Sequence, residues 1–335
     1  MQQRPFAVDG PGAFNALALE LFQLHARHNP IYRDYVHALG VVPEQVVRME
    51  DIPFLPIGLF RSHRVLLEGL EPALTFTSSG TTLLRQGFGG GAPAATSSHH
   101  LPWPALYERS FREGFRLAYG DPKEWRIIAL LPGYLERPGS SLVYMAEHLI
   151  SATGDPHSGT YLYRYDEVAD LLCRSEEEGK RTLLLGVTFA LLDLAAQHPK
   201  PLRHTTVMET GGMKGRRPEL VREELHRILQ DAFHLPSIHS EYGMTELLSQ
   251  AYSTGGGRYT CPPWMRVLLR EPNDPFARPA TGRTGGIDVI DLCNSASCPF
   301  IRTQDLGRLH ADGSFEVLGR FDNSDLRGCN LMVEA

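Results

Sequence analysis

The sequence predicts an α/β protein in which a mostly parallel sheet, covered by helices, is joined to a smaller β-rich subdomain. Three observations carry that expectation. Between Trp125 and Glu209, apolar strand-like runs alternate with helical patterns. The last third of the chain is rich in Gly, Pro and short strand patterns, and no internal repeat breaks the order. The 335 residues suffice for one large or two ordinary domains.

Taken in order, Phe14, Leu17, Leu21 and Leu24 recur at helical spacing, with Ala18 in the same stripe and Asn29-Pro30 as the stop. A second helix is expected from Ile31 to Leu39, ending at Gly40. The segment Ile52-Pro53-Phe54-Leu55-Pro56-Ile57 is too rich in proline for a helix and too apolar for water, so it should run extended over the core. The spacing of Tyr107, Phe111, Phe115 and Ala118 predicts a helix from Leu106 to Ala118. Strands are then expected at 125–131, 160–165, 182–188, 205–209 and 237–239. Helices are expected at 141–150, 166–178 (capped by Asp166) and 189–197, with a further one opening at Pro218. Met265 to Leu269, Gly286 to Leu292 and Phe315 to Leu318 read as strands of the β-rich part.

Composition excludes several classes. Apolar residues at 42% and charged residues at 21% are ordinary for a globular chain, and no apolar run approaches the roughly 18 residues that span a bilayer. Met1 to Pro5 leads into an amphipathic helix rather than a signal-peptide core, so a cytoplasmic location without membrane insertion is expected. A net charge of −6 gives no footprint for nucleic acid. Five cysteines are an odd number without a signal peptide, which argues against disulfides. Cys293 and Cys298 lack a second Cys/His pair and read as ordinary thiols.

Five stretches carry the candidate chemistry. Thr75 to Thr82 is a run of small hydroxyl residues with one glycine; backbone N–H groups and hydroxyls there could wrap phosphate oxygens. Such clusters also form plain turns, and the run alone does not separate the two. No Gly-Lys-Ser/Thr follows it. Gly87 to Pro93 is a glycine-rich loop able to close over a nucleotide or simply to lie at the surface. Gly211-Gly212-Met213-Lys214 lies at an expected strand end, where open α/β sheets bind ligands. The last two are Glu241-Tyr242-Gly243-Met244-Thr245-Glu246, and Thr303-Gln304-Asp305 followed by Gly319-Arg320-Phe321-Asp322.

In order and spacing, the hydroxyl run, the Gly-Gly strand end, the Tyr-Gly-Met-Thr-Glu stretch and the Asp305 and Arg320 stretches resemble the adenylate-forming enzymes, which activate a carboxylate with ATP. Within that superfamily the chain is similar to the acyl-protein synthetases of the bacterial bioluminescence fatty acid reductase. The added likeness lies in Ile52 to Pro56, Leu130 to Arg137 with Ser140 to Met145, Pro262-Pro263-Trp264 and the ending Arg327-Gly328-Cys329. Phenylacetate-CoA ligases share the general pattern.

The resemblance implies an ATP and Mg²⁺ site. Thr77, Ser78, Ser79, Gly80, Thr81 and Thr82 would hold the β- and γ-phosphates. Gly211, Gly212 and Met213 would lie against adenine, with Glu241, Tyr242 and Gly243 beside it and Tyr242 stacked on the base. Thr245 would bond the α-phosphate, Glu246 would hold Mg²⁺, and Asp305 would accept the ribose hydroxyls. His99 and His100 flank the site in this reading, and His239 is a core or supporting residue. Tyr144, Met145 and Trp264 are expected in the acid pocket or in plain core.

The sequence departs from the family in two ways. Leu83-Leu84-Arg85 replace the usual glycine and lysine, and the separate C-terminal lid domain with its catalytic lysine is expected to be absent. Lys214, the one lysine inside a motif, is then the candidate replacement, with Arg320 next. Residues 1–318 would form the adenylate-forming domain and 319–335 a tail whose Cys329 accepts the acyl group. The implied substrate is a fatty acid. The implied partners are an acyl reductase and an acyl-transferase, in an oligomer or complex. A phenylacetate-CoA-ligase-like acid:thiol ligase and a non-catalytic nucleotide-binding subunit are the competing readings.

Overall fold

The computed structural model describes residues 2–78, 96–132, 139–211, 220–272, 277–279 and 282–320. Helices α1 (Gly10–His28) and α2 (Pro30–Ala38) come first. The expected stripe of α1 is buried at Phe14, Leu17, Ala18 and Leu21. Asn29 separates the two helices and caps the second, its Oδ1 accepting from the Tyr32 N–H at 3.3 Å, and Pro30 takes the first turn, where a missing N–H costs nothing. Gly40 follows with φ at +68°, a left-handed step that a side chain would resist. Strand β1 (Leu55–Pro56) is the extended apolar segment anticipated from its prolines, and the turn Ile57–Arg61 follows it.

Strands β2 (Leu74–Thr77) and β3 (Ser98–Leu101) form an antiparallel pair with Thr75 opposite His100. Helix α3 (Pro104–Tyr119) buries Tyr107, Phe111 and Phe115. The alternating region then unfolds as β4 (Arg126–Leu130), α4 (Ser141–Thr153), β5 (Gly159–Tyr161), α5 (Tyr165–Glu177), β6 (Thr182–Gly186), α6 (Thr188–Gln197), β7 (Thr205–Glu209), α7 (Arg222–Phe233), β8 (His239–Tyr242) and β9 (Ala251–Ser253). These strands make a six-stranded sheet in the order β5-β4-β6-β7-β8-β9, parallel except for β9. Every residue of β4 and β6 is buried, as expected of strands covered on both faces.

The last third holds β10 (Arg258–Tyr259), β11 (Met265–Arg270), β12 (Thr284–Asp291), β13 (Phe300–Leu309) and β14 (Phe315–Arg320). They form a second sheet in the order β10-β14-β13-β12-β11, antiparallel throughout, to which β1 adds in parallel along β13.

The structure corrects two expectations. Helix α5 begins at Tyr165 after Arg164, which makes no side-chain cap, and Asp166 lies inside its first turn with an exposed side chain. Its carboxylate can favour the helix only through its charge at the positive end. Strand β13 was read as a motif and not as a strand, yet it is central to the second sheet. Polar Arg302, Gln304 and Arg308 alternate there with buried neighbours, the pattern of a strand with one face turned away from the core.

Asp291, at the end of β12, ties the two sheets together. It accepts from the Leu248 N–H (2.7 Å), the Ser249 N–H (2.9 Å) and hydroxyl (2.6 Å), and the Cys293 N–H (3.1 Å). Ser249 reaches Ser110 of α3 at 3.1 Å, to which Trp264 donates through Nε1 at 3.1 Å. Trp264 therefore packs at this junction, edge-on to Phe6. Its indole N–H is spent on a core serine. Met145 is core, and Tyr144 lies half-buried on His148 and donates to Glu108 at 2.8 Å. Cys293 and Cys298 are free, buried thiols, and burial raises both well above the usual thiol range.

Candidate active site

The site is built at the carboxyl end of the parallel sheet, where β8 runs into the Gly243 to Glu246 turn. Tyr242 closes the strand. Its hydroxyl donates to Asp305 Oδ2 on β13 at 2.9 Å, and its ring meets Tyr259 and Phe315 edge-on at 5.9 and 5.4 Å. Arg320, at the end of β14, donates from Nε to the other oxygen of Asp305 at 3.3 Å. Three residues singled out from sequence, 63 and 78 positions apart along the chain, thus converge on one carboxylate. Both Asp305 oxygens are engaged in this arrangement, so ribose hydroxyls would share them with Tyr242 and Arg320.

The second cluster is organised by Glu246, which retains 5% of its surface. The Ser97 hydroxyl donates to its Oε1. Ser97 in turn closes the β2–β3 pair: its N–H donates to the Ser78 hydroxyl at 3.0 Å, and its carbonyl accepts from the Ser78 N–H at 2.9 Å. A chain of contacts therefore runs from the start of the hydroxyl run to the acidic end of the Tyr-Gly motif. Thr77 is anchored beside it, its N–H donating to the Gly139 carbonyl at 2.8 Å. Gly139 has φ at +85°, and a Cβ there would lie 3.0 Å from Thr77 Oγ1, so the approach depends on glycine.

His99 stands behind the turn and is fully buried. Its Nδ1 lies 2.8 Å from the Thr245 carbonyl and its Nε2 3.0 Å from Asn294 Oδ1, while Asn294 donates to the Glu246 carbonyl at 2.8 Å. Both backbone carbonyls of the Thr245-Glu246 pair are thereby held, which fixes where their side chains point. Burial pushes the imidazole down to about 4 and raises the Glu246 carboxyl above its usual range, while the Arg320 and Arg61 charges oppose the latter. Sequence reasoning placed His99 near the site but gave no sign of Ser97, Asn294 or Arg61. They lie outside any motif, and their roles come from contacts as distant as 195 positions.

On β7, Glu209 is buried and accepts from the Gly211 N–H at 2.6 Å, holding that glycine at φ +72°. His226 and Arg222 of α7 hold the Glu209 carboxyl below its usual range against the cost of burial. Glu241 behaves oppositely. Burial, with the Glu209 charge nearby, pushes it up to about 8. A Cβ on Gly243 would run into Glu241 Oε1, so the glycine leaves the space that this carboxyl occupies. His239 is half-buried with Nδ1 3.2 Å from the Tyr119 hydroxyl, a supporting position.

Ser79, Gly80, Thr81, Thr82, Gly212, Met213, Lys214 and Cys329 lie outside the described residues, as do the 87–93 loop and Pro218. Among the described residues no group of three or more His, Cys, Asp or Glu side chains is placed to hold a metal ion. Glu246 would thus bring one carboxylate to Mg²⁺. Its burial without a full cationic partner fits that task, because a bound cation would favour its ionised form. No helix among the described residues is long and apolar enough to cross a membrane.

No protein-family model matches the sequence, and no curated protein sequence matches it. Solved structures do match the fold. A 2-hydroxyisobutyryl-CoA ligase in complex with 2-HIB-AMP and CoA superposes with a TM-score of 0.65 at 14% identity, over 93% of this chain and 70% of that one. The same ligase in its thioesterification state gives 0.64 at 15% identity. ATP-bound MatB from Rhodopseudomonas palustris gives 0.54 at 17% identity, over 73% of this chain and 47% of its own length. The chain shares its α/β architecture with these proteins.

Proposed function

We propose that this protein activates a carboxylic acid with ATP, forming an acyl-adenylate and releasing pyrophosphate. The observation that carries the reading is the contact chain Ser78–Ser97–Glu246, which joins the hydroxyl run to the acidic motif beside the Tyr242–Asp305–Arg320 cluster. The ligand-bound fold neighbours, one with an acyl-AMP and one with ATP, support it.

The step is an in-line displacement. A carboxylate oxygen forms a bond to the α-phosphorus while the bond to the pyrophosphate oxygen breaks. The acid is already ionised at neutral pH, so no general base is needed, and position and charge neutralisation supply the rate. Thr245 would donate to the α-phosphate, and Thr77 to Thr82 would hold the outer phosphates. Gly211 to Met213 and Tyr242 would frame the adenine, and Asp305 the ribose. Glu246 would hold Mg²⁺, which neutralises phosphate charge when bound. Lys214 or Arg320 would meet the developing charge.

In the finer reading the acid is a fatty acid. Cys329 takes the acyl group as a thioester, with AMP leaving, and passes it to a partner acyl reductase. A thiolate attacks an acyl-adenylate readily, and the thioester remains able to transfer to a second thiol.

Incubation with ATP, Mg²⁺ and radiolabelled acid tests both levels. Acyl-AMP should be detected by mass spectrometry, and its absence with every acid offered defeats the activation reading. The protein should carry a hydroxylamine-labile label that Cys329→Ser loses while still releasing pyrophosphate. Label on added CoA and none on the protein would favour the acid:CoA ligase instead.

A further inference from the structure

The carboxyl end of the parallel sheet carries more polar chemistry on its α3 side than the protein itself uses. Glu209 and Ser240 pair across β7 and β8, and their side chains turn toward α7, where Glu209 meets Arg222 and His226. The next residue on each strand turns the other way. Thr210, just past β7, falls beside Glu241 on β8, which is the cross-strand partner of Tyr252 on β9. Gln250 stands one row further on, against Gly243.

Three of these four groups are left without a partner among the described residues. Thr210 Oγ1, Gln250 Oε1 and the Tyr252 hydroxyl are buried without a hydrogen bond, and none reaches the Glu241 carboxyl. Glu241, Gln250 and Tyr252 retain only 9%, 5% and 6% of their surface. Nearby hydroxyls are not in this state: Tyr107 donates to the Ser141 carbonyl at 3.0 Å, and Tyr119 is 3.2 Å from His239 Nδ1. Unpaired buried polar atoms are rare in folded proteins, and three around one buried carboxyl call for a partner from outside the chain.

The position says which partner. Gly243 stands midway between Glu241 and Thr245, the residue assigned to the α-phosphate, and the Glu241 carboxyl lies against it, in the space that a side chain there would take. An acid whose carboxylate meets the α-phosphorus beside Thr245 would pass that glycine and bring its chain to Glu241. The donor set says what kind of chain. With Glu241 kept protonated by burial, the row offers donors at Glu241, Tyr252 and Thr210 and an acceptor at Gln250, with no net charge.

We infer that the acid activated here carries a neutral hydrogen-bonding group on its chain, a hydroxyl, oxo or amide function, received by Thr210, Glu241, Gln250 and Tyr252. The inference rests on the adenylation reading and narrows it. A plain alkyl chain would leave the row unpaired, and a site built to hydrogen-bond its ligand rejects the analogue that lacks the group.

The test is acid-dependent ATP–pyrophosphate exchange with acids paired by chain length, each alkyl acid against its hydroxy, oxo and amino derivatives. The wild type should favour the hydroxy or oxo member by about ten- to a hundred-fold in kcat/KM, the range expected when a buried polar group gains or loses its partner. Tyr252→Phe, Gln250→Leu and Glu241→Leu should each collapse the ratio, and Glu241→Gln, still a neutral hydrogen-bonding side chain, should retain it. A variant that merely folds poorly slows both members of a pair and leaves the ratio unchanged. A wild-type ratio near one, a preference for the amino acids, or ratios untouched in all three apolar variants would overturn the inference while leaving adenylation standing. No exchange with any acid would overturn both.

Discussion

Two buried carboxyls, at the junction between the sheets and at the rim of the candidate site, are handled in opposite ways. Asp291 is fully buried and accepts four hydrogen bonds, from three backbone N–H groups and a serine hydroxyl. Glu241 is nearly as buried, accepts none from the described residues, and is pushed up to about 8. Asp291 is pushed only to about 6, because its four donors offset much of the desolvation. The difference separates a polar group that the fold completes from one that it leaves incomplete. The junction explains how the segment leading into β9, α3 and β12 are held together, and the rim is where the proposed acid would be received.

The sharpest way to break this contrast is at Asp291. Asp291→Ala strands four buried donors at once and should destabilise the protein by about 4 kcal/mol, read as a lowered denaturant midpoint. A loss under about 1 kcal/mol would show that the junction does not depend on this carboxylate.

Glu241 should respond to pH with the opposite sign from an ion-paired carboxylate. Its folded pKa of about 8 lies above the reference 4.5, so between those values the folded state binds the extra proton. Stability from this group is complete below pH 4.5 and declines as pH rises toward 8, by about 3 kcal/mol at pH 7. Glu241→Gln, which cannot ionise, should remove that slope and leave the protein more stable than wild type at pH 8. An unchanged slope would show that Glu241 is ionised in the fold.

A smaller effect is expected at the Tyr242–Asp305–Arg320 cluster. Tyr242→Phe removes the bond to Asp305 Oδ2, frees that oxygen and should cost about 1 kcal/mol of stability. Weaker ATP binding in the same variant would tie Tyr242 to the nucleotide as well as to the fold.

The parts of the molecule legible in the sequence are those governed by local pattern. The alternation from β4 to β7 followed from apolar runs and helical spacing, and α1 from Phe14, Leu17 and Leu21. Asp166 misled because an acidic residue near a helix start serves equally as a cap or as first-turn charge, and only the backbone distinguishes them. Strand β13 was hidden because Arg302, Gln304 and Arg308 dilute its apolar face. The motif residues Tyr242, Glu246, Asp305 and Arg320 were singled out by order and type. Their supports were not: Ser97, Asn294 and Asp291 bear no local mark, since they act across 149, 195 and 43 positions.

The most direct test of the account is ATP–pyrophosphate exchange measured with acid and Mg²⁺ in the wild type and in Glu246→Gln. The side chain is isosteric, keeps a partner for Ser97 and loses only the charge, so the denaturation midpoint should stay close to that of the wild type. The account predicts acid-dependent exchange in the wild type and a loss of about a hundred-fold or more in the variant. Exchange at the wild-type rate in Glu246→Gln would contradict it.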